Sequence, residues 1–115
     1  MCIRDRLGCL ATVAMRQPAN LTMILWDNGI YQITGGQATA SAEATNLVAV
    51  ARGAGIQNAH WAADEADFDA LVAAALKGGA PSLIGVRIDK SAPAGTTERD
   101  PVKIRENFMR GLGVR

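Results

Sequence analysis

Apolar residues change their spacing several times along the chain, and each change marks an element. Leu7, Leu10, Ala11, Ala14 and Met15 recur at helical spacing. Gln17-Pro18 ends that helix, because proline has no amide donor and disfavours helical geometry in the residue before it. Leu21 to Trp26 (LTMILW) is a nearly continuous apolar run, the pattern of a parallel strand covered on both faces. Asp27-Asn28-Gly29 ends the run with three residues that readily leave extended geometry. From Gly29 to Thr45 no period is visible and Gly, Thr, Ser and Ala dominate, which predicts a long functional or disordered loop.

Regularity returns with a short helix over Asn46 to Arg52, with Thr45 as its expected cap and Gly53 as its stop. Gln57 to Trp61 is a weaker strand. Asp64 to Lys77 is the clearest helix. Asp64, Glu65 and Asp67 sit in its positive first turn, Lys77 in its last, and Gly78-Gly79 follows as a C-cap. Its expected buried stripe is Phe68, Leu71, Val72, Ala75 and Leu76. Leu83 to Ile88 (LIGVRI) is another strand, and a polar connector leads to a last helix capped by Asp100 with Pro101 at its first position. Helices alternating with strands predict an α/β fold, a parallel sheet with helices on both faces.

Composition narrows the function. The chain has 115 residues with 12 basic against 11 acidic side chains, one small domain. The charge is uneven: +2 over residues 1–20, −4 over 21–86 and +3 over 87–115, none of it a polybasic footprint for nucleic acid. The longest apolar run, Ala70 to Leu76, is seven residues, far below the ~20 that a spanning helix needs, so no membrane is expected as a partner. Arg4 and Arg6 before Leu7 to Met15 imitate a signal peptide, but Gly8 and Thr12 dilute the apolar stretch and no cleavage site follows. Cys2 and Cys9 read as reduced thiols of a cytoplasmic protein.

In parallel sheets ligands gather beyond the carboxyl ends of strands, which directs attention to the segment from Asp27 to Gln37. Asn28 offers a neutral amide oxygen suited to magnesium, and Gly29 lets the chain turn so that following carbonyls can face a cation. Gly35-Gly36 would let main-chain amides approach an anion. By residue type alone, both are equally ordinary turns. His60, Trp26 and Trp61 read as structural and packing residues, and Arg87 and Arg99 as solvated or subunit-contacting charges.

The order of these residues adds information. NLTMILWDNGIYQITGGQ, preceded by LGCLATVA (Leu7 to Ala14), resembles the cofactor-binding domain of thiamine diphosphate-dependent enzymes, most closely the sulfopyruvate and phosphonopyruvate decarboxylase branch. LVAVARGAGI (Leu47 to Ile56), a closing strand and the Arg99-Asp100-Pro101 helix start extend the resemblance to the end of the chain. It implies a Rossmann- or flavodoxin-like three-layer fold, here incomplete, that binds thiamine diphosphate and Mg2+. Asn28 would ligate the metal through its side chain and Ile30 through its backbone carbonyl. Gly29 would permit the turn, and the Tyr31, Gln32 and Ile33 backbone would lie along the diphosphate and aminopyrimidine. Gln37 and Thr39 would face an anionic 2-oxo acid substrate.

The resemblance has departures. The branch's GDG motif would fall at or before residue 1, and Met1 to Arg6 (MCIRDR) does not match what should follow it. Residues 1–6 are therefore expected to be foreign and 7–115 a partial domain, inactive by itself as a decarboxylase. The cofactor-activating glutamate would come from a pyrimidine-binding domain or an alpha subunit, within an oligomer. An acetolactate synthase-like carboligase and a non-catalytic flavodoxin-like assembly module stay open as alternatives.

Overall fold

The computed structural model describes residues 7–91, 95 and 98–114, so the expectation for residues 1–6 and the middle of the polar connector lie outside the described residues. Three parallel strands, β1 (Thr22–Asp27), β2 (Asn58–Trp61) and β3 (Ser82–Arg87), form one sheet in the order β1-β3-β2. The two strongest apolar runs are neighbours, in register from Thr22 opposite Ser82 to Asp27 opposite Arg87. The helices are α1 (Leu7–Arg16), α2 (Ala40–Glu43), α3 (Leu47–Gly53), α4 (Glu65–Leu76) and α5 (Pro101–Gly111), the last exposed along nearly its whole length.

Strand order explains why helices lie on both faces. The chain crosses from β1 past β3 to β2, then returns to the centre, and right-handed crossovers running in opposite directions place their helices on opposite faces. Side chains alternate across a strand, so Leu83 and Ile84 point to different layers. Leu83 joins the core with Leu10 of α1, Val48 and Ala51 of α3, Ile56 and Ala59. Ile84 faces Leu71, Ala74 and Ala75 of α4.

Full coverage belongs to β3 rather than to β1. Four consecutive residues of β3, Ser82 to Gly85, are buried, whereas β1 is an edge strand with Ile24 41% and Trp26 57% exposed. The expectation for Leu21 to Trp26 is corrected accordingly: an apolar run reports a strand, but only the sheet order decides which strand is central. Trp26 still packs at one edge, its ring 5.7 Å from that of Phe68.

Several boundaries also move. Asn46, not Thr45, caps α3, its Oδ1 accepting from the Ala49 amide at 3.1 Å. Gln17 leaves α1 in the left-handed region (φ 44°) while its amide still donates to the Val13 carbonyl, and Pro18 then prevents continuation. The stripe of α4 is only half-buried, with Phe68, Leu71, Val72 and Ala75 partly exposed, and Leu76 is 77% exposed. The segment from Gly29 to Thr45, expected to be a loop throughout, contains α2 and an antiparallel bridge between Ile30 and Ala38. Among the described residues no helix is long and apolar enough to cross a membrane.

Asp64 precedes α4 as its cap rather than sitting inside the first turn. Its Oδ1 accepts from the Asp67 amide at 2.8 Å, and Asp67 Oδ2 accepts from the Ala63 amide at 2.9 Å, a reciprocal pair that satisfies two otherwise orphaned donors. Asp64→Ala is expected to cost about 1 kcal/mol in a urea or thermal unfolding curve. Asp69→Ala, one turn along the same helix, should stay within about 0.5 kcal/mol. Equal losses would show that negative charge near the helix start matters and the cap does not. At the start of α5 the Glu98 carboxylate accepts from the Asp100 and Arg99 amides, which hold it below its ordinary value.

Candidate functional site

β1 ends where its neighbour ends, and the last ladder bond runs from the Ile88 amide to the Asp27 carbonyl at 3.0 Å. The Asp27 side chain then turns inward. It is 5% exposed, and its Oδ1 accepts from the Gly29 amide at 3.0 Å and the Ser41 hydroxyl at 2.8 Å. Its Oδ2 accepts from Arg87 Nη1 at 3.2 Å. A buried carboxylate needs such partners, and Asp27 has three.

The next residue repeats the turn. Asn28 Oδ1 accepts from the Ile30 amide at 3.2 Å, so two successive side chains cap the backbone two residues ahead. Gly29 between them has φ 68°, and a Cβ there would lie 3.3 Å from that of Ala42. Both the left-handed backbone and the approach of α2 therefore call for glycine. Asn28 Nδ2 donates to Gln32 Oε1 at 3.1 Å, and Gln32 Nε2 donates to the Ser91 carbonyl at 2.8 Å, which fixes the way the Asn28 amide faces.

Beyond the turn the chain doubles back. The Tyr31 amide donates to the Gln37 carbonyl at 2.8 Å, and the Thr39 amide to the Gly29 carbonyl at 3.0 Å. Gly36 donates to the Tyr31 carbonyl at 2.9 Å, and Gly35 and Gly36 both have positive φ, so the pair closes a tight loop. In the wide pairing of Ile30 with Ala38 the Ile30 carbonyl receives no backbone amide among the described residues.

An open cleft of about 350 Å³ lies over this turn, lined by Leu25, Asp27, Asn28, Ile30 to Thr34, Thr39, Ser41 and Leu47. Of the expected site residues, the fold brings Asn28, Ile30, Tyr31, Gln32, Ile33 and Thr39 together around one opening. Gly29 is buried behind them. Gln37 is not part of the lining, and its side-chain amide lies against Gly35. Thr39 reaches the cleft but is 8% exposed, with its hydroxyl 2.7 Å from that of Ser41. Ile33 is 99% exposed.

The donor set is chemically specific. Among the described residues no group of three or more His, Cys, Asp or Glu is gathered as a metal cluster. The oxygens that the turn offers are neutral, the Asn28 amide oxygen with one lone pair still available and the Ile30 carbonyl. Such hard oxygens suit magnesium held between a protein and phosphate groups. The residues present would thus fit a metal-diphosphate group, with further ligands to be supplied from outside this turn.

Sequence reasoning included Asp27 in the candidate segment without giving its side chain a role, and missed Ser41 and the inward role of Arg87. Asp27 read as a strand-ending turn residue, and no spacing signal connects it to Ser41 or Arg87. Arg87 is not merely a solvated charge: besides its bond to Asp27, its guanidinium carbon stands 4.5 Å from the Trp61 ring centroid. His60 lies on β2 outside the cleft, with Nδ1 3.3 Å from Arg52 Nη2, in keeping with a structural role.

The sequence profile of the family described as "Thiamine pyrophosphate enzyme, C-terminal TPP binding domain" matches residues 3–86. A phosphonopyruvate decarboxylase of Streptomyces hygroscopicus is 37% identical over 105 residues, covering 90% of this chain and 26% of that protein. A phosphonopyruvate decarboxylase of Streptomyces viridochromogenes is 40% identical over 83 residues, 72% of this chain and 21% of the relative. The sulfopyruvate decarboxylase subunit beta of Methanocaldococcus jannaschii is 38% identical over 50 residues, 44% of this chain and 27% of that subunit. The chain therefore spans about a quarter of the length of the curated relatives it matches. No solved structure matches it.

Proposed function

The chain belongs to the family of C-terminal TPP-binding domains of thiamine pyrophosphate enzymes, and from that premise we propose that the cleft beyond β1 anchors thiamine diphosphate and Mg2+ for a 2-oxo acid decarboxylase. The observation that carries this reading is the turn itself: two neutral oxygens, Asn28 Oδ1 and the Ile30 carbonyl, lie within two residues at the carboxyl end of a parallel strand. That is where an open α/β sheet exposes ligand-binding groups.

When bound, the thiazolium ring of the cofactor supplies the electron sink for cleavage of the bond to a departing carboxylate. The chain's own residues hold and orient. Asn28 and Ile30 would take the metal, and the Tyr31 to Ile33 backbone would follow the diphosphate and the aminopyrimidine. The exposed side chains of Ile33 and Tyr31 offer apolar surface that could shield a cofactor ring from water.

Names of the relatives support a substrate with an anionic tail of the sulfopyruvate or phosphonopyruvate kind. A pyrimidine-binding partner, as a second domain or an alpha subunit, would bring the activating glutamate, and the subunit designation of the archaeal relative supports that division. Gln37 and Thr39 are the candidates for the anionic end of the substrate. Since Gln37 stands outside the cleft lining, Gln37→Ala should leave cofactor affinity within about 2-fold, a change near the ~0.5 kcal/mol scatter of surface substitutions.

Titration calorimetry tests the proposal directly. Thiamine diphosphate should give binding heat in the presence of Mg2+ and lose it when the metal is chelated. Heat that is the same with and without metal, or none under either condition, overturns the assignment of this turn as the metal-diphosphate anchor.

A further inference from the structure

The buried end of β1 is connected to more than the turn that follows it. Asp27 Oδ1 takes both the Gly29 amide and the Ser41 hydroxyl, and Ser41 in turn meets the hydroxyl of Thr39 at 2.7 Å. All three residues are buried, with Asp27 6%, Thr39 8% and Ser41 7% exposed as whole residues. The Thr39 amide closes a ring by donating to the Gly29 carbonyl at 3.0 Å. Arg87 holds the other carboxylate oxygen from β3, and its Nη1 also reaches the Ser41 carbonyl at 3.5 Å.

These contacts make one closed polar network out of three pieces distant in sequence: the turn, the first residues of α2, and the end of β3. Helix α2 has four residues, too few to hold its place by its own hydrogen bonds. Its cap residue Thr39 makes no side-chain bond to the helix amides and spends its hydroxyl on Ser41 instead. Helix α2 in turn closes on the glycine of the turn, with the Ala42 side chain 3.3 Å from where a Gly29 Cβ would be.

We propose that Asp27 and Ser41 are positioning residues that set the orientation of the Asn28 to Ile30 turn, locking it to α2 and to the loop bearing Thr39. Neither side chain is assigned to the cation. They act through the backbone: the Asp27 carboxylate pins the Gly29 amide, the left-handed glycine then aims the Ile30 carbonyl, and Ser41 fixes the carboxylate. Loss of the Ser41 hydroxyl frees one side of that carboxylate and lets the turn and the loop move independently. This inference rests on the proposed cofactor site for its metal-binding consequence.

Ser41→Ala tests it with the smallest change of volume, since Asp27→Ala leaves Arg87 and two donors unpaired and can fail to fold. In amide NMR spectra of the full chain, Ser41→Ala should shift Gly29 and Ile30 and speed hydrogen exchange at the Gly29 and Thr39 amides. Calorimetry with thiamine diphosphate and Mg2+ should show roughly 10-fold weaker binding, as for other groups that orient a metal ligand. Ser41→Thr keeps the hydroxyl and should restore both signals, which a purely packing role would not do. Shifts confined to residues 40–44 together with wild-type affinity overturn the inference and leave the cofactor site standing. A wild-type chain without metal-dependent binding overturns the cofactor site and, with it, the metal role of the network.

Discussion

Asn28→Ala is expected to weaken Mg2+-dependent binding of thiamine diphosphate by more than the 10- to 100-fold typical of groups that only orient a ligand, a loss of roughly 2.8 kcal/mol or more. The side chain removed is a direct oxygen donor, and magnesium demands a near-octahedral shell that tolerates little rearrangement. The neighbours are placed for other tasks: Gln32 stays tied through Nε2 to the Ser91 carbonyl even after its Oε1 loses Asn28, and Asp27 is committed to Gly29, Ser41 and Arg87. His60→Ala supplies the comparison. His60 lies on β2, and its replacement should leave the same titration within about 2-fold, the ~0.5 kcal/mol range of a surface substitution. Equal losses from both variants would mean that the affinity follows overall stability, and the ligand role of Asn28 would fall.

Gly85→Ala should destabilise the fold by about 1–3 kcal/mol, the cost of overpacking a well-filled interior by one methyl group. A Cβ at this position would stand 2.6 Å from Cε3 of Trp61 and 2.7 Å from Cζ3, inside any tolerable contact. The indole cannot move aside freely. Its Nε1 donates to Asn46 Oδ1 at 3.0 Å, the same oxygen that caps α3, and Arg87 covers its ring. The methyl group would therefore disturb β3, the cap of α3 and the guanidinium that holds Asp27. Thermal melting checks this, with a fall of roughly 4–8 °C for each kcal/mol in a domain near this size. Combining the change with Trp61→Leu should recover part of the loss, because two residues in contact do not act additively. A Gly85→Ala variant as stable as wild type would show that the sheet yields where it is drawn as rigid.

Legibility in the sequence followed the range of the interaction. Helices α1, α4 and α5 were readable because apolar period, proline, the acidic first turn of α4 and its terminal glycines all act within a few residues. That β1 and β3 are parallel members of one sheet was readable from their runs of apolar residues and the helices between them. The Asn28-Gly29-Ile30 turn stood out for a similar reason: an Asx turn and a left-handed glycine are encoded in three adjacent residues. Helix α2 was invisible. Four residues with no apolar period cannot announce a helix, and this one is held by Ser41, 14 positions from Asp27.

What the sequence by itself determined is the α/β class, the strand-turn-loop order and the family to which the chain belongs, all of which depend on local pattern or on direct likeness of residues. What only the tertiary structure decided is which strand is central and which is an edge, and which groups surround the turn. The reason is physical. Strand order and the meeting of Asp27 with Arg87, 60 positions away, arise from crossover handedness and sheet register, and no single stretch of sequence carries either.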